Sequence, residues 1–429
     1  MHDNSLRTSP DTMASIGIAF TVFNSFMVQY YVDIFHSYVL YIAMLLLGFI
    51  AMAISTKGFF VIRMESILLW YFAGIMMAYS LSRNAFDINT FSDLATFFQC
   101  VFICSMAGCN LDNFDKSLKV IDVFSIYYAI TVWIQLLLPT IYGQFLNLMP
   151  ENIQSQILTQ QANFAFTGFS SNLGFTAGHI LAGILLLIAK KGNGIKYFAK
   201  IIFLFVTLML TGKRSSFVFL IVAIFVTYLV STVGIKKLSR VACIVMSILL
   251  MGIILLLFKD TLSRVPVLNR IIETISGLKN GIDITSNRTV IYRHAWQLFK
   301  DNPVLGIGWG RFRSTTLGNI TWVNTVEVHN IYLQLLCETG IIGFVIMIIP
   351  MIVHLIHSYR AYRYEAVCGN MKAWSSVLFY AFAYQVFFLL YGCVENALYD
   401  YNFLIMYFFA CAIVVAYERK RKQNSIVSN

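Results

Sequence analysis

The chain is poor in charge. Asp, Glu, Lys and Arg make up only 12% of its 429 residues, about half the share usual in a soluble domain. With 59% of residues hydrophobic, too little polar surface exists to cover a compact soluble particle, and disorder is excluded on the same figures. Proline is scarce at six residues, and no Pro-rich linker, low-complexity tract or internal repeat divides the chain. The eight cysteines include no paired C-x-x-C motif, so neither a disulfide scaffold nor a zinc site is indicated. Cys100, Cys104, Cys109, Cys243, Cys337, Cys368, Cys393 and Cys411 mostly fall within or beside apolar runs, where a thiol acts as a small hydrophobe. The short alternating segments of an outer-membrane barrel are missing as well. No small-residue cleavage site follows the first apolar run, so it reads as a span and not as a removable signal peptide.

What is present is a series of long, continuous apolar runs. At roughly 20 apolar residues per crossing, the sequence reads as an all-α polytopic membrane protein of about twelve spans. They are expected near 15–32, 37–56, 64–82, 93–111, 120–141, 173–190, 197–212, 215–234, 240–258, 330–356, 373–392 and 398–417. The first is the weakest, because it carries Asn24 and Gln29. Three regions follow: spans one to nine in 1–258, a long extracytoplasmic loop with short helices in 259–329, and three further spans with a cytoplasmic tail in 330–429.

Lys and Arg set the orientation. With both termini in the cytoplasm, 19 of the 31 basic residues lie on inside segments, and the short outside connections hold only Arg83, Lys213 and Arg214. The other nine lie between Lys259 and Val328, a segment long enough to be translocated whatever its charge. Against Asp260, Glu273, Asp283, Asp301 and Glu327 that loop keeps an excess of four positive charges on the outer face, which calls for an anionic partner. The net charge of +11 is spent mostly on inside loops, and no nucleic-acid partner is expected.

Within the long loop, Thr285-Ser286-Asn287 offers N-cap side chains and Arg288 to Lys300 reads as a helix, stopped by Asp301-Asn302-Pro303. Tyr292, Ala295, Trp296 and Phe299 form its apolar stripe, with Arg288 at the start. On its own, Arg288 also suits a guanidinium snorkelling from that stripe. Gly306-Ile307-Gly308-Trp309-Gly310-Arg311-Phe312 is not a dinucleotide fingerprint, since Arg311 stands where a third glycine belongs and no strand precedes it. Its glycines instead permit a tight turn and close backbone approach. Glu327-Val328-His329-Asn330 then leads into a span, which places His329 at the outer boundary as a candidate general base. An interfacial, hydrogen-bonded histidine is the plainer alternative. His179, His294, His354 and His357 have weaker claims. Thr211-Gly212-Lys213-Arg214 is a turn between two spans with hardly any loop. A Lys-Arg pair at that depth is costly unless something negative meets it, a lipid headgroup being the simplest partner.

Taken in order, these motifs resemble the O-antigen ligase and O-antigen polymerase superfamily of bacterial envelope glycosyltransferases. The matching residues are Asn287-Arg288, Trp296, Asn302-Pro303, Gly306-x-Gly308-x-Gly310-x-Phe312, and His329-Asn330-x-x-Leu333-x-x-Leu336-x-Glu338-x-Gly340-x-x-Gly343. The Thr211–Arg214 turn looks like the family's turn with Lys213 in place of the usual small residue, and Gly168-Phe169-Ser170-Ser171-Asn172 looks like its glycine-asparagine segment. The first 140 residues match only in being hydrophobic helices. The resemblance implies metal-independent, cofactor-free transfer of a glycan from an undecaprenyl-diphosphate carrier at the outer face of the inner membrane. Arg214, Arg288 and Lys213 would bind the diphosphate and His329 would act on the acceptor hydroxyl. Glu327 is the runner-up base or the partner that orients His329, while Gly306, Gly308, Gly310 and Asn330 support the loop. An inverting single displacement is implied.

In an O-antigen or capsule polymerase the acceptor is another lipid-linked repeat unit, and a chain-length regulator protein is a further partner. In an O-antigen ligase the acceptor is the lipid A core, and a protein glycan ligase is a third variant. The polymerase is the first expectation, on His329-Asn330-x-x-Leu333. From a different class, a lipid-linked oligosaccharide flippase or transporter would carry ionisable residues in mid-span or broken helices near the bilayer centre.

Overall fold

The computed structural model describes residues 12–55, 65–82, 88–108, 110–232, 239, 268, 288–315, 327–369 and 371–427. Among these residues the regular structure is all helical. In chain order the helices are α1 (Thr12–Gln29, continued by a wider π turn over Tyr30–Ile34), α2 (Tyr38–Ala53), α3 (Glu65–Ser82), α4 (Ile88–Met106), α5 (Asp115–Leu137), α6 (Pro139–Leu146) and α7 (Glu151–Ala162). They continue as α8 (Leu173–Lys190), α9 (Ile195–Leu210), α10 (Arg214–Val230), α11 (Arg288–Asp301), α12 (Ile331–Val367), α13 (Lys372–Tyr391) and α14 (Tyr401–Val427). Six of them are long and apolar enough to cross a membrane: α1, α5, α8, α12, α13 and α14. The chain is an integral membrane protein. Eleven expected spans fall on these helices; the twelfth, 240–258, lies outside the described residues, as do Thr285-Ser286-Asn287 and most of the long loop.

Composition explains which helix sits where. Every residue from Phe403 to Tyr417 of α14 is buried. A helix apolar on all sides belongs in the interior, and α14 packs against α1, α4, α12 and α13. Helix α12 keeps an apolar stripe exposed instead, with Ile342, Val345, Ile349, Ile352 and Ile356 at alternating spacings of three and four, which suits a lipid-facing side. Asn24 and Gln29, the polar residues of the first span, are buried: Gln29 Nε2 donates to the Tyr128 hydroxyl at 2.5 Å, and Asn24 Nδ2 donates to the Met44 carbonyl at 3.1 Å while its Oδ1 is left without a partner among the described residues.

Three features differ from the sequence reading. Pro139 ends α5 and opens α6, because proline suits a first helical turn and not a helix interior; the expected span 120–141 is thus cut short, and the connection from it to the span at 173–190 holds most of α6 and all of α7. Helices α12 and α14 run on past their apolar parts, held together there by His357–Glu418 at 2.5 Å and by the Tyr417 hydroxyl donating to Glu365 at 2.6 Å. In α11 the buried residues are Ile291 and Ala295, one turn apart, whereas Trp296 remains 46% exposed. The stripe is rotated from the one expected, because the four-residue step from Ile291 to Ala295 is the side that meets α12.

Helix α12 is broken at Gly340 (φ 63°, ψ −171°). In an unbroken helix Ile341 and Ile342 would donate to the carbonyls of Cys337 and Glu338. Here they donate to Pro303 at 2.9 Å and Val304 at 3.4 Å, while the two freed carbonyls accept from Ile307 at 2.9 Å and Gly308 at 2.8 Å. The glycine loop fills the break and satisfies both sides of it, which is the condition for irregular backbone at membrane depth. Such contact needs glycine on both surfaces. A Cβ on Gly306 would stand 2.3 Å from the Glu338 carbonyl carbon, and one on Gly340 2.3 Å from that of Val304.

Candidate active site

Three helix beginnings converge above this loop. The short turn after α9 reverses at Gly212 (φ 67°), and Lys213 occupies the N-cap position of α10, with Arg214 as its first residue. Arg288 opens α11. Asn330 caps α12, its Oδ1 accepting from the Tyr332 N–H at 3.1 Å and the Leu333 N–H at 3.0 Å. The same side chain donates to the Cys393 carbonyl at 3.0 Å and the Ile331 N–H donates to Gly392 at 2.9 Å, so the start of α12 is tied to the loop between α13 and α14. Each helix start carries a partial positive charge from its unpaired N–H groups, and a region of this kind attracts anions.

At the centre is a carboxylate. Glu395 Oε1 meets Lys213 Nζ at 2.8 Å and Arg288 Nη2 at 3.3 Å, and accepts from the Ser215 hydroxyl at 3.3 Å. Its Oε2 faces His329 Nδ1 at 3.7 Å. Arg288 Nη1 also donates to the Val394 carbonyl. Lys213, Arg288 and His329 thus surround one acidic side chain, and they keep 20, 25 and 29% of their side-chain surface exposed, open to a ligand. Burial alone would raise the Glu395 carboxyl, but the charges of Lys213 and then Arg288 outweigh it and hold the group well below the usual carboxylate range. Asp400, in the same loop, shows the reverse. Burial and then the Glu395 charge push it up to about 7.

His329 adopts φ 57°, the left-handed region that a non-glycine residue enters at a cost of about 1–2 kcal/mol. Its N–H donates to Asn396 Oδ1 at 2.8 Å and its carbonyl accepts from the Tyr292 hydroxyl at 3.2 Å, which together hold the strained backbone. Strain maintained in this way is a frequent mark of functional sites.

The structure brings Lys213, Arg288, His329 and Asn330 together, with Arg214 next in sequence to Lys213. It places Glu327 elsewhere. That carboxylate is engaged by Arg313 Nε and by Gln334 Nε2, and the acid facing His329 is Glu395, a residue the sequence reading did not consider. Glu338 fastens the loop from within α12, accepting from the Phe312 N–H at 3.1 Å and the Tyr399 hydroxyl at 2.6 Å. Trp309 completes the attachment: its N–H donates to Ser80 Oγ at 2.9 Å, its indole to Asp93 at 3.2 Å, and its ring stacks on Tyr399. Gly306, Gly308 and Gly310 have φ values of 65, 113 and 72°. Of the other histidines, His179 packs against the rings of Phe26 and Tyr128, His294 bonds Thr315, His354 lies against Trp70, and His357 pairs with Glu418. The only sequence signal for Glu395 was an acid in the short connection between the last two expected spans, on the side assigned to the Lys213-Arg214 turn.

Residues 199–348 match the family model described as O-antigen ligase. That stretch contains Lys213, Arg214, Arg288, the glycine loop, His329 and Asn330, and it stops short of Glu395. The superfamily resemblance drawn from the motifs holds over this part of the chain. No curated protein matches the chain in sequence.

Proposed function

We propose that the protein is a glycosyltransferase that moves a glycan from an undecaprenyl-diphosphate carrier to an acceptor hydroxyl at the outer face of the bacterial inner membrane. One observation carries this reading: Lys213, Arg288 and His329 meet around Glu395 at the start of three helices. A lipid diphosphate is anionic and fixed at the membrane surface, and guanidinium and ammonium groups suit its oxygens. As the bond from the sugar's anomeric carbon to the phosphate oxygen breaks, its electron pair passes to the diphosphate. Preorganised cations stabilise that charge most in the transition state. His329 takes the proton of the acceptor hydroxyl as its oxygen attacks the anomeric carbon, a contribution of roughly 10²–10⁴-fold. Arg214 would add a further cation. Displacement in one step inverts the anomeric configuration.

The topology that goes with this reading has twelve spans, both termini in the cytoplasm, and the loop 259–329 outside between the membrane regions 1–258 and 330–429. The short-loop bias of 19 basic residues against three supports it. The first acceptor we assign is a second lipid-linked repeat unit of O-antigen or capsule, with a chain-length regulator as partner. The description of the matched family favours a second reading, transfer to the lipid A core. Deletion separates the two: loss of a polymerase leaves core carrying at most one repeat, and loss of a ligase leaves lipid-linked polymer unattached to core. Transport gains no support from the break in α12, because the glycine loop closes it. The test of the activity is transfer by the purified protein from an undecaprenyl-diphosphate-linked oligosaccharide. Glycan transfer without added nucleotide sugar is expected, and intact donor after prolonged incubation with both acceptors would refute the reading.

A further inference from the structure

Two groups compete for one nitrogen of His329. The Glu395 carboxylate lies 3.7 Å from Nδ1, and the Asn396 side-chain nitrogen lies 3.4 Å from it. The orientation of the Asn396 amide is fixed by its other contact. Its oxygen accepts the His329 N–H at 2.8 Å, so its NH₂ group is the one that faces the ring. The two neighbours require opposite tautomers. An amide donating to Nδ1 leaves the ring proton on Nε2, where the imidazole cannot accept another. A carboxylate accepting from Nδ1–H leaves the Nε2 lone pair free, the form that can remove a proton from an acceptor hydroxyl.

Which neighbour prevails depends on where the Glu395 charge is committed. Its Oε1 carries Lys213, Arg288 and Ser215, while Oε2 at 3.7 Å stays about half an ångström beyond hydrogen-bonding distance of the ring. Lys213 and Arg288 are also the cations assigned above to the diphosphate, and the present inference rests on that assignment. A diphosphate, with more charge and more oxygens than one carboxylate, draws both cations away. The released carboxylate needs to move by only about an ångström to accept from Nδ1–H.

We propose that Glu395 is a positioning residue that passes from the cations to His329 when the lipid diphosphate binds, so that the base is set in its active tautomer only with donor in place. The device keeps the base idle toward stray hydroxyls and water until a donor is present. Asn396 holds the ring in the idle form and Glu395 in the active one.

The test compares wild type with Glu395→Gln and Glu395→Asp in detergent. It measures binding of undecaprenyl diphosphate, turnover with a lipid-linked oligosaccharide, and the ¹⁵N resonances of the His329 ring, assigned by comparison with His329→Gln. In the wild type, undecaprenyl diphosphate shifts the ring from the Nε2–H to the Nδ1–H pattern. In Glu395→Gln the lipid binds as tightly as in wild type or tighter, the ring stays in the Nε2–H pattern, and turnover falls by about 100-fold or more. Glu395→Asp restores a large part of the turnover. If Glu395→Gln loses lipid binding and turnover together, Glu395 only props up the cations and the proposal fails. A ring pattern indifferent to the lipid in wild type also refutes it. Failure of the underlying assignment looks different: Lys213→Ala and Arg288→Ala would then bind undecaprenyl diphosphate as well as wild type does.

Discussion

Replacing Gly340 with alanine should separate the glycine loop from α12. The new Cβ would stand 2.3 Å from both the carbonyl carbon and oxygen of Val304 and 2.5 Å from the Leu305 nitrogen, about an ångström inside the 3.4 Å at which ordinary contact begins. Backbone atoms on both sides leave no flexible side chain to yield. The conformation at φ 63°, ψ −171° costs an L residue roughly 1–3 kcal/mol by itself. If the loop moves off, the four exchanged bonds of Ile341, Ile342, Ile307 and Gly308 are lost, at about 1 kcal/mol each. The sum is about 5–7 kcal/mol, which corresponds to a fall in Tm of roughly 6–8 °C for a chain of this size. Thermal unfolding in detergent measures it, with Gly143→Ala as control. Gly143 lies in α6 with nothing within 4 Å of an added Cβ, so alanine there should be neutral or stabilising by about 0.5–1 kcal/mol. A Gly340→Ala protein that melts like the Gly143→Ala protein would refute the account of the loop.

Three more expectations concern the site. Arg288→Ala should lower kcat/KM for a lipid-linked donor by about 100-fold or more while the protein still reaches the membrane, and Arg288→Lys should recover only part of it, since an ammonium lacks the planar fork. Polymer of normal length in cells carrying Arg288→Ala would remove Arg288 from the site. His329→Ala should keep donor binding and stop transfer; unchanged turnover would demote it. Asp400 supplies a pH test. Its folded-state value is raised from 3.8 to about 7, so the folded protein holds a proton that the unfolded chain releases, and stability falls as pH rises between those values and levels off above about 7. Asp400→Asn should therefore raise Tm more at pH 8 than at pH 4, and an equal effect at both would contradict the shift.

The apolar helices were legible because an uninterrupted apolar run states its environment whatever its period. The ends were not. Past its apolar part α14 reads Glu418-Arg419-Lys420-Arg421-Lys422, a charged tail by composition, and pairing such as His357–Glu418 with the equally extended α12 goes with its staying helical. α11 was legible as a helix but not in its rotation, since aromatic residues occur around it and the choice of Ile291 and Ala295 is made by α12. Lys213 and Arg288 stood out as cations where cations are costly. Glu395 did not, because its meaning comes from partners 182 and 107 residues earlier in the chain, which only the packing of α10, α11 and α13 brings near. Gly340 and the glycine loop were legible as glycines in need of close approach; that each serves the other was not.

The most direct test of the central claim uses two native thiols. Cys393 and Cys368 are exposed and lie beyond opposite ends of α13, while Cys100, Cys104, Cys337 and Cys411 are buried. Cys393 sits in the loop that carries Glu395, and its carbonyl is the one that Asn330 holds. Variants keeping only one of these thiols would be treated in intact spheroplasts with a membrane-impermeant maleimide, with and without undecaprenyl diphosphate. The account predicts that Cys393 is labelled from outside and Cys368 is not, and that the lipid diphosphate slows labelling at Cys393 in the Arg288 protein but not in the Arg288→Ala protein. Labelling of Cys368 in place of Cys393, or labelling of Cys393 at a rate the diphosphate leaves unchanged, would contradict it.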